Sequence, residues 1–257
     1  MSEVNVSLEG GAIARIEMDF RGRLNLMNQA AITSLQGAVR SLAGKRGLRV
    51  AVLSGAAGKP FVGGADLHAM RDLSSGSARA FIAGLAESFA AIRTLEVPVI
   101  AAVSGYALGG GLELAMACDV RVGAADAQFG MPEVKVGIPS VIEAALLPRM
   151  VGWGRAQYLL YTGALIDAGE ACHWGLIDRV APADGLDAAA AEMAASIAAC
   201  GPSAIRAQKR LFRRWHESHL EESIAAGIEE FDRTFETADP REGMTAFLER
   251  RSPRYED

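Results

Sequence analysis

The sequence predicts an α/β protein of repeated strand–strand–helix units, followed by a mainly helical C-terminal region. Two apolar runs, Val50-Ala-Val-Leu-Ser54 and Val99-Ile-Ala-Ala-Val-Ser104, each end in Ser-Gly. Each then leads through a Gly-Gly element, at 63–64 and 109–111, towards a helix-like segment, as a repeated structural unit would. From about residue 140 onward the apolar spacing is chiefly helical.

In chain order, residues 4–8 and 12–19 alternate like paired strands around a turn at Gly10-Gly11. Residues 29–43 read as a helix, 50–54 as a buried strand, and the loop to Asp66 as polar. Phe81, Leu85, Phe89, Ile92 and Leu95 recur at helical spacing. A strand follows at 97–103, a helix at 112–118, and a further strand from Asp119 to Ala124. Residues 188–199 are alanine-rich, and Pro202 opens another helix. A helix at 217–236 carries Leu220, Ile224, Ile228 and Phe231 on one face; Asp239-Pro240 breaks it before a last helix near 241–250.

The 257 residues suit one large domain, or one domain with a helical appendage, and half of them are hydrophobic. A net charge of −5 leaves no basic field to gather nucleic acid or an anionic membrane, so local arginines must meet any anionic ligand. Cys118, Cys172 and Cys200 form no CxxC pair and read as reduced, mostly buried thiols. The first ten residues lack an apolar signal core, and no apolar run approaches the roughly 18 residues of a membrane span. The expectation is a soluble cytoplasmic protein. The four histidines form no metal constellation; His216 and His219 are expected on one helix face with no third ligand, so no metal is expected.

Gly105-Tyr-Ala-Leu-Gly-Gly-Gly-Leu-Glu113 is the most informative stretch. Glycines at a strand-to-helix junction let a ligand approach the backbone closely. The free N–H groups of the helix's first turn favour negative charge in the same space. The spacing fits neither G-x-G-x-x-G nor a P-loop. A phosphate cradle would want a cation where Glu113 stands, so the glutamate points to acid–base chemistry on a polarised carbonyl. A purely structural turn is the competing reading of the glycines alone.

Phe61-Val-Gly-Gly-Ala-Asp-Leu67, residues 105–119, Gln128-Phe-Gly-Met-Pro-Glu133, residues 162–177 and Arg241-Glu-Gly-Met-Thr-Ala-Phe-Leu-Glu-Arg250 occur in this order over nearly the whole chain. In these motifs the sequence resembles the crotonase (enoyl-CoA hydratase/isomerase) superfamily, enoyl-CoA hydratases most of all. The resemblance implies a crotonase-like (ClpP/crotonase) spiral of ββα units in residues 1–200. It implies a C-terminal helical oligomerisation segment in 201–257, and a homotrimer or homohexamer. It also implies an acyl-CoA thioester substrate and no cofactor, coenzyme A being part of the substrate.

By the same resemblance, the thioester oxygen would sit between the backbone N–H groups of Ala65 and Gly110. Glu113 and Glu133 would be the catalytic pair, Glu113 holding the water and Glu133 exchanging the C2 proton. Arg21, Arg23, Leu24, Gly63, Asp66, Leu67, Phe247 and Arg250 match coenzyme A contacts, the last two often made across a subunit interface. Taken singly, Glu113 reads equally as a helix-terminal charge and Glu133 as a solvated loop carboxylate. The chain departs from common hydratases after Glu133, where Ser140, Val141, Ile142 and Glu143 replace glycines expected along the acyl pocket. There Glu143 reads equally as a surface glutamate or a polar contact. The expected activity is hydration of a trans-2-enoyl-CoA. Isomerisation or elimination on a specialised ester is the alternative within the superfamily, and a non-catalytic acyl-CoA-binding protein the alternative from another class.

Overall fold

Two left-handed glycines, Gly10 and Gly11 at φ 56° and 77°, turn the chain between β1 (Glu3–Glu9) and β2 (Ile13–Asp19). The strands pair antiparallel, Glu3 opposite Asp19. The structure is a computed structural model, and it describes residues 3–255. Helix α1 (Gln29–Leu42) starts where the Asn28 side chain accepts the Ala31 N–H, and it buries Ile32, Leu35, Val39 and Leu42 on one face. β3 (Val50–Gly55) is apolar because both of its faces are covered, which is what a central parallel strand requires. A short helix α2 (Leu67–Met70) follows, then α3 (Ser75–Thr94), opened by a reciprocal Ser74–Ser77 capping box.

β4 (Val99–Val103) leads to β5 (Tyr106–Leu108), helix α4 (Gly110–Ala117), β6 (Val120–Ala124) and β7 (Gln128–Gly130). Two tight 3₁₀ turns, Pro132–Val136 and Ile142–Leu146, precede α5 (Leu147–Val151) and α6 (Trp153–Thr162). β8 (Leu165–Asp167), α7 (Ala168–His173) and β9 (Arg179–Ala181) complete the sheets. Helices α8 (Leu186–Ala198), α9 (Pro202–Glu217), α10 (Leu220–Thr234) and α11 (Asp239–Leu248) close the chain.

The strands form a six-stranded sheet in the order β1-β2-β3-β4-β6-β9 and a three-stranded sheet β5-β7-β8. Beyond the first hairpin the large sheet is parallel. Each turn of the chain lays one strand in the large sheet and then a short one beside it: β4 then β5, β6 then β7. After β3 the short strand shrinks to single bridges, Val62 to Ala107 and Ala65 to Met27. This is the repeated strand–strand–helix spiral expected from the sequence.

Four details differ from the sequence reading. Asp239-Pro240 begins α11 rather than breaking a helix, because proline in a helix's first turn removes an N–H that has no intrahelical partner. His216 lies in α9 and His219 caps α10, so the two do not share a helix. Cys118 is buried, but Cys200 is exposed and Cys172 only half-buried. The region after residue 140 also contributes two short strands, β8 and β9, to the sheets. No single described helix is long and apolar enough to cross a membrane, and the described residues hold no cluster of three metal-ligating side chains.

The first C-terminal helix is fastened to the core by one buried cation. Lys209 Nζ donates to the carbonyls of Ile92 (3.3 Å) and Val97 (2.8 Å) and to the Asp119 carboxylate (2.8 Å). Asp119 in turn accepts the Val99 N–H at 2.7 Å, which ties α9 to the start of β4. An Arg210–Glu230 pair (2.6 Å) then holds α10 against α9.

Candidate active site

Two free amides meet around Met27. Its N–H donates to Gly64 O and its carbonyl accepts from Asp66 N–H, at 2.9 and 2.7 Å. In a parallel bridge of this kind the intervening residue, Ala65, turns its own N–H to the other side. That N–H makes no hydrogen bond among the described residues. Gly110 opens α4, where the first N–H groups have no intrahelical partner. A Cβ built on Gly110 would lie 3.0 Å from the Met27 methyl, which sets the start of α4 beside the residue whose backbone pairs with Ala65.

The glycines of the junction are required by contact. A Cβ at Gly111 would overlap the Val62 carbonyl, so only glycine lets α4 pack against the strand that leads to Ala65. Gly109 has φ 53°, and a Cβ there would stand 2.6 Å from Glu133 Oε1. Glu133 therefore reaches back over the helix start.

Glu113 lies in the first turn of α4 and is 3% exposed. Burial pushes its carboxyl up to about 8; the Ala144 N–H donated to Oε1 at 3.0 Å opposes this, and the nearby Glu133 charge adds to it. Glu133 is half-buried in the turn Pro132–Val136, and the Ser140 hydroxyl donates to its Oε2 at 2.8 Å. Two carboxyl groups that sense each other thus stand by two free amides. The sequence paired these residues only through resemblance; the fold assembles them from three separate segments.

The segment 140–143 runs from beside Glu133 into the turn Ile142–Leu146. Ser140 touches the Glu133 carboxylate, and Val141 is exposed. Ile142 holds a left-handed φ of 43°. Glu143 is no surface glutamate: it is 5% exposed and forms an ion pair with Arg93 of α3.

An open cleft of about 540 Å³ is lined by Arg23, Leu24, Lys59, Pro60, Ser104 and Tyr106, among others. Gly63 N–H donates to Leu24 O at 2.8 Å, which ties this cleft to the Ala65 loop. Asp66 is buried; it accepts the His68 N–H at 3.0 Å and lies 3.9 Å from the Arg21 guanidinium. Leu67 is half exposed at the start of α2. Phe247 and Arg250 stand at the C-terminal end, and neither lines the cleft.

Sequence reasoning missed Lys59, Tyr106 and Arg93, each of which reads as a surface residue until the chain is folded. It also passed over Asn25, which is fully buried with a left-handed φ of 57°. Its amide donates to the carbonyls of Met18, Pro60 and Phe61 and its Oδ1 accepts the Phe20 N–H. That fixes the start of the loop that leads to Ala65. An asparagine beside a motif is the only signal the sequence offered.

An α/β spiral with two free amides beside two carboxyl groups defines a class of proteins equipped for proton transfer next to a developing oxyanion. The chain belongs to the enoyl-CoA hydratase/isomerase family, which matches residues 9–257. It is 38% identical over 233 residues to a crotonyl-CoA hydratase of Syntrophomonas wolfei subsp. wolfei, covering 90% of each chain. It is 35% identical over 249 residues to a short-chain-enoyl-CoA hydratase of Clostridium acetobutylicum, covering 96% of this chain and 95% of the relative. The crystal structure of an enoyl-CoA hydratase from Bacillus anthracis superposes with a TM-score of 0.94 at 32% identity, over 98% of each chain. The fold is the crotonase fold, and the family implies acyl-CoA substrates.

Proposed function

We propose that this protein is an enoyl-CoA hydratase that adds water across the C2=C3 bond of a trans-2-enoyl-CoA without a further cofactor. The observation that carries the reading is the pairing of Glu113 and Glu133 beside the unbonded N–H groups of Ala65 and Gly110. Named relatives that are hydratases over nearly the full chain support it.

In this reading the thioester carbonyl oxygen takes hydrogen bonds from the two amides. One carboxylate removes a proton from water as the oxygen bonds to C3, and the C2=C3 electrons move into a thioester enolate. The other carboxyl gives its proton to C2 as the enolate collapses. Each fixed oxyanion donor contributes about 3–4 kcal/mol to such a transition state. The raised Glu113 carboxyl keeps a proton available at neutral pH. Coupled carboxyls titrate as a unit, so the proton is assigned to the pair.

The cleft carrying Arg23 and Lys59 would receive the anionic coenzyme A portion. Phe247 and Arg250 would complete a neighbouring subunit's site in a trimer or hexamer built through residues 201–257. Loss of the conjugated-enoyl absorbance of crotonyl-CoA tests the activity. No loss with crotonyl-CoA or a panel of longer trans-2-enoyl-CoAs would overturn it.

A further inference from the structure

The Arg93–Glu143 pair lies one residue from the group that holds Glu113, and this closeness has a physical reading. The Ala144 N–H is shared: it donates to Val141 O at 2.9 Å and to Glu113 Oε1 at 3.0 Å. A small rotation of the 143–144 peptide would give the bond wholly to Val141 and release the carboxyl. The turn that sets this rotation is not self-supporting. It begins at Ile142, a β-branched residue at φ 43°, where an L side chain crowds its own backbone. No side chain caps it. Glu143 follows at once, buried, with one oxygen on Arg93 and the other without a hydrogen-bond partner among the described residues.

Such a pair is a weak source of stability, because Arg93 is partly in water and burying the Glu143 charge costs much of what the attraction returns. An apolar pair of similar size would pack the same contact between α3 and the turn at least as well. What an ion pair adds is a single defined arrangement. α3 suits this purpose, since it packs on α4, which carries Glu113, and also on the turn Ile142–Leu146.

We propose that Arg93 and Glu143 are positioning residues, clamping the strained 142–144 turn to α3 so that the Ala144 N–H stays aimed at the Glu113 carboxyl. The clamp acts on the proton-transfer pair and not on coenzyme A. Its kinetic consequence rests on the hydratase reading; its effect on the Glu113 carboxyl does not. The charged groups around that carboxyl are Glu133 from the turn after β7, Glu143 from its own turn and Arg93 from α3. Arg213 and Glu217 of α9 act in turn on Arg93. A hydrogen bond from Ala144 favours the carboxylate, so its loss moves the Glu113 midpoint upward.

The test uses the full chain with Arg93→Met and Glu143→Leu combined, so that neither charge is left buried alone. The expected outcome is an unchanged or raised melting temperature with kcat on crotonyl-CoA lowered about 10–100-fold and KM nearly unchanged, the usual scale for a misaimed catalytic group. In the substrate-free protein, the infrared carboxyl band that Glu113→Gln removes should titrate at a higher pH than in wild type. This second readout works even if crotonyl-CoA is not a substrate, so it separates failure of the clamp from failure of the hydratase reading. A folded double variant with the wild-type band midpoint overturns the proposal. If that variant does not fold, charge-conserving Glu143→Asp, whose shorter side chain lets go of Arg93, replaces it, with the same upward shift supporting the clamp and an unmoved midpoint overturning it.

Discussion

Glu113 illustrates how a single residue trades stability for chemistry. Its carboxyl is held near 8, well above the ordinary 4.5, chiefly because it is buried. Between those two pH values the folded protein binds a proton that the unfolded chain releases. Stability therefore falls as pH rises through this window and levels off above about 8. A tenfold change in proton affinity is worth about 1.4 kcal/mol. Glu113→Gln should flatten this slope and stabilise the fold by about 2–4 kcal/mol at pH 8, with little change at pH 4.5. The same variant should lower kcat by about 10²–10⁴-fold. Thermal melts at the two pH values and crotonyl-CoA turnover check both halves; a melting curve with wild-type pH dependence would remove the buried-proton argument. Glu133→Gln should lose turnover to a similar degree, and the double variant should lose little more, because the two carboxyls act as one unit. Additive losses would show that they act separately.

At the scale of elements, the junction between β5 and α4 carries most of the site. Gly109→Ala and Gly111→Ala test different contacts there. At Gly111 the new methyl meets the fixed Val62 carbonyl, so α4 must shift away from the loop that leads to Ala65. At Gly109 it meets the movable end of Glu133, and the backbone there, at φ 53° and ψ −123°, adds about 1–3 kcal/mol of strain for a non-glycine residue. Gly111→Ala should therefore destabilise by about 1–3 kcal/mol and impair turnover through the amides. Gly109→Ala should impair turnover mainly by displacing one carboxylate. Denaturant titrations and kcat separate the two, and equal kcat for wild type and Gly111→Ala would deny the packing its role. This junction was legible in the sequence because three glycines between a strand and a helix have few uses. The central strands were legible too, since runs such as Val99-Ile-Ala-Ala-Val103 fit only a doubly covered position. The 142–144 turn was not. Its shape depends on Arg93, fifty residues away on a helix whose polar face looks like ordinary solvent-facing surface. Asn25 was hidden for the same reason: four hydrogen bonds to two separate segments leave no periodic trace.

The C-terminal helices leave apolar surface uncovered. Leu220, Ile224, Ile228 and Phe231 recur along one face of α10, and the first of them is 75% exposed. Phe235 stacks on Phe231 at 5.1 Å, and on α11 Met244, Phe247 and Leu248 are also exposed. A contiguous apolar patch of this kind is uncommon on a soluble monomer. The helices behind it are well anchored, α9 by Lys209 and α10 by the Arg210–Glu230 pair, so the patch belongs to a rigid surface. A second copy of the chain is the proposed cover, burying about 800 Å² on each partner in a standard-sized contact. Ile228→Asp with Phe231→Asp should place two charges in that contact without touching the core. Sedimentation should then give a smaller species than the wild type, with an unchanged far-UV spectrum. KM for crotonyl-CoA should rise more than kcat falls, because Phe247 and Arg250 would no longer reach a neighbour's cleft while Glu113 and Glu133 stay within their own chain. A wild-type protein that sediments as a monomer at micromolar concentration, with a KM insensitive to both substitutions, would detach the C-terminal helices from assembly and from the site alike.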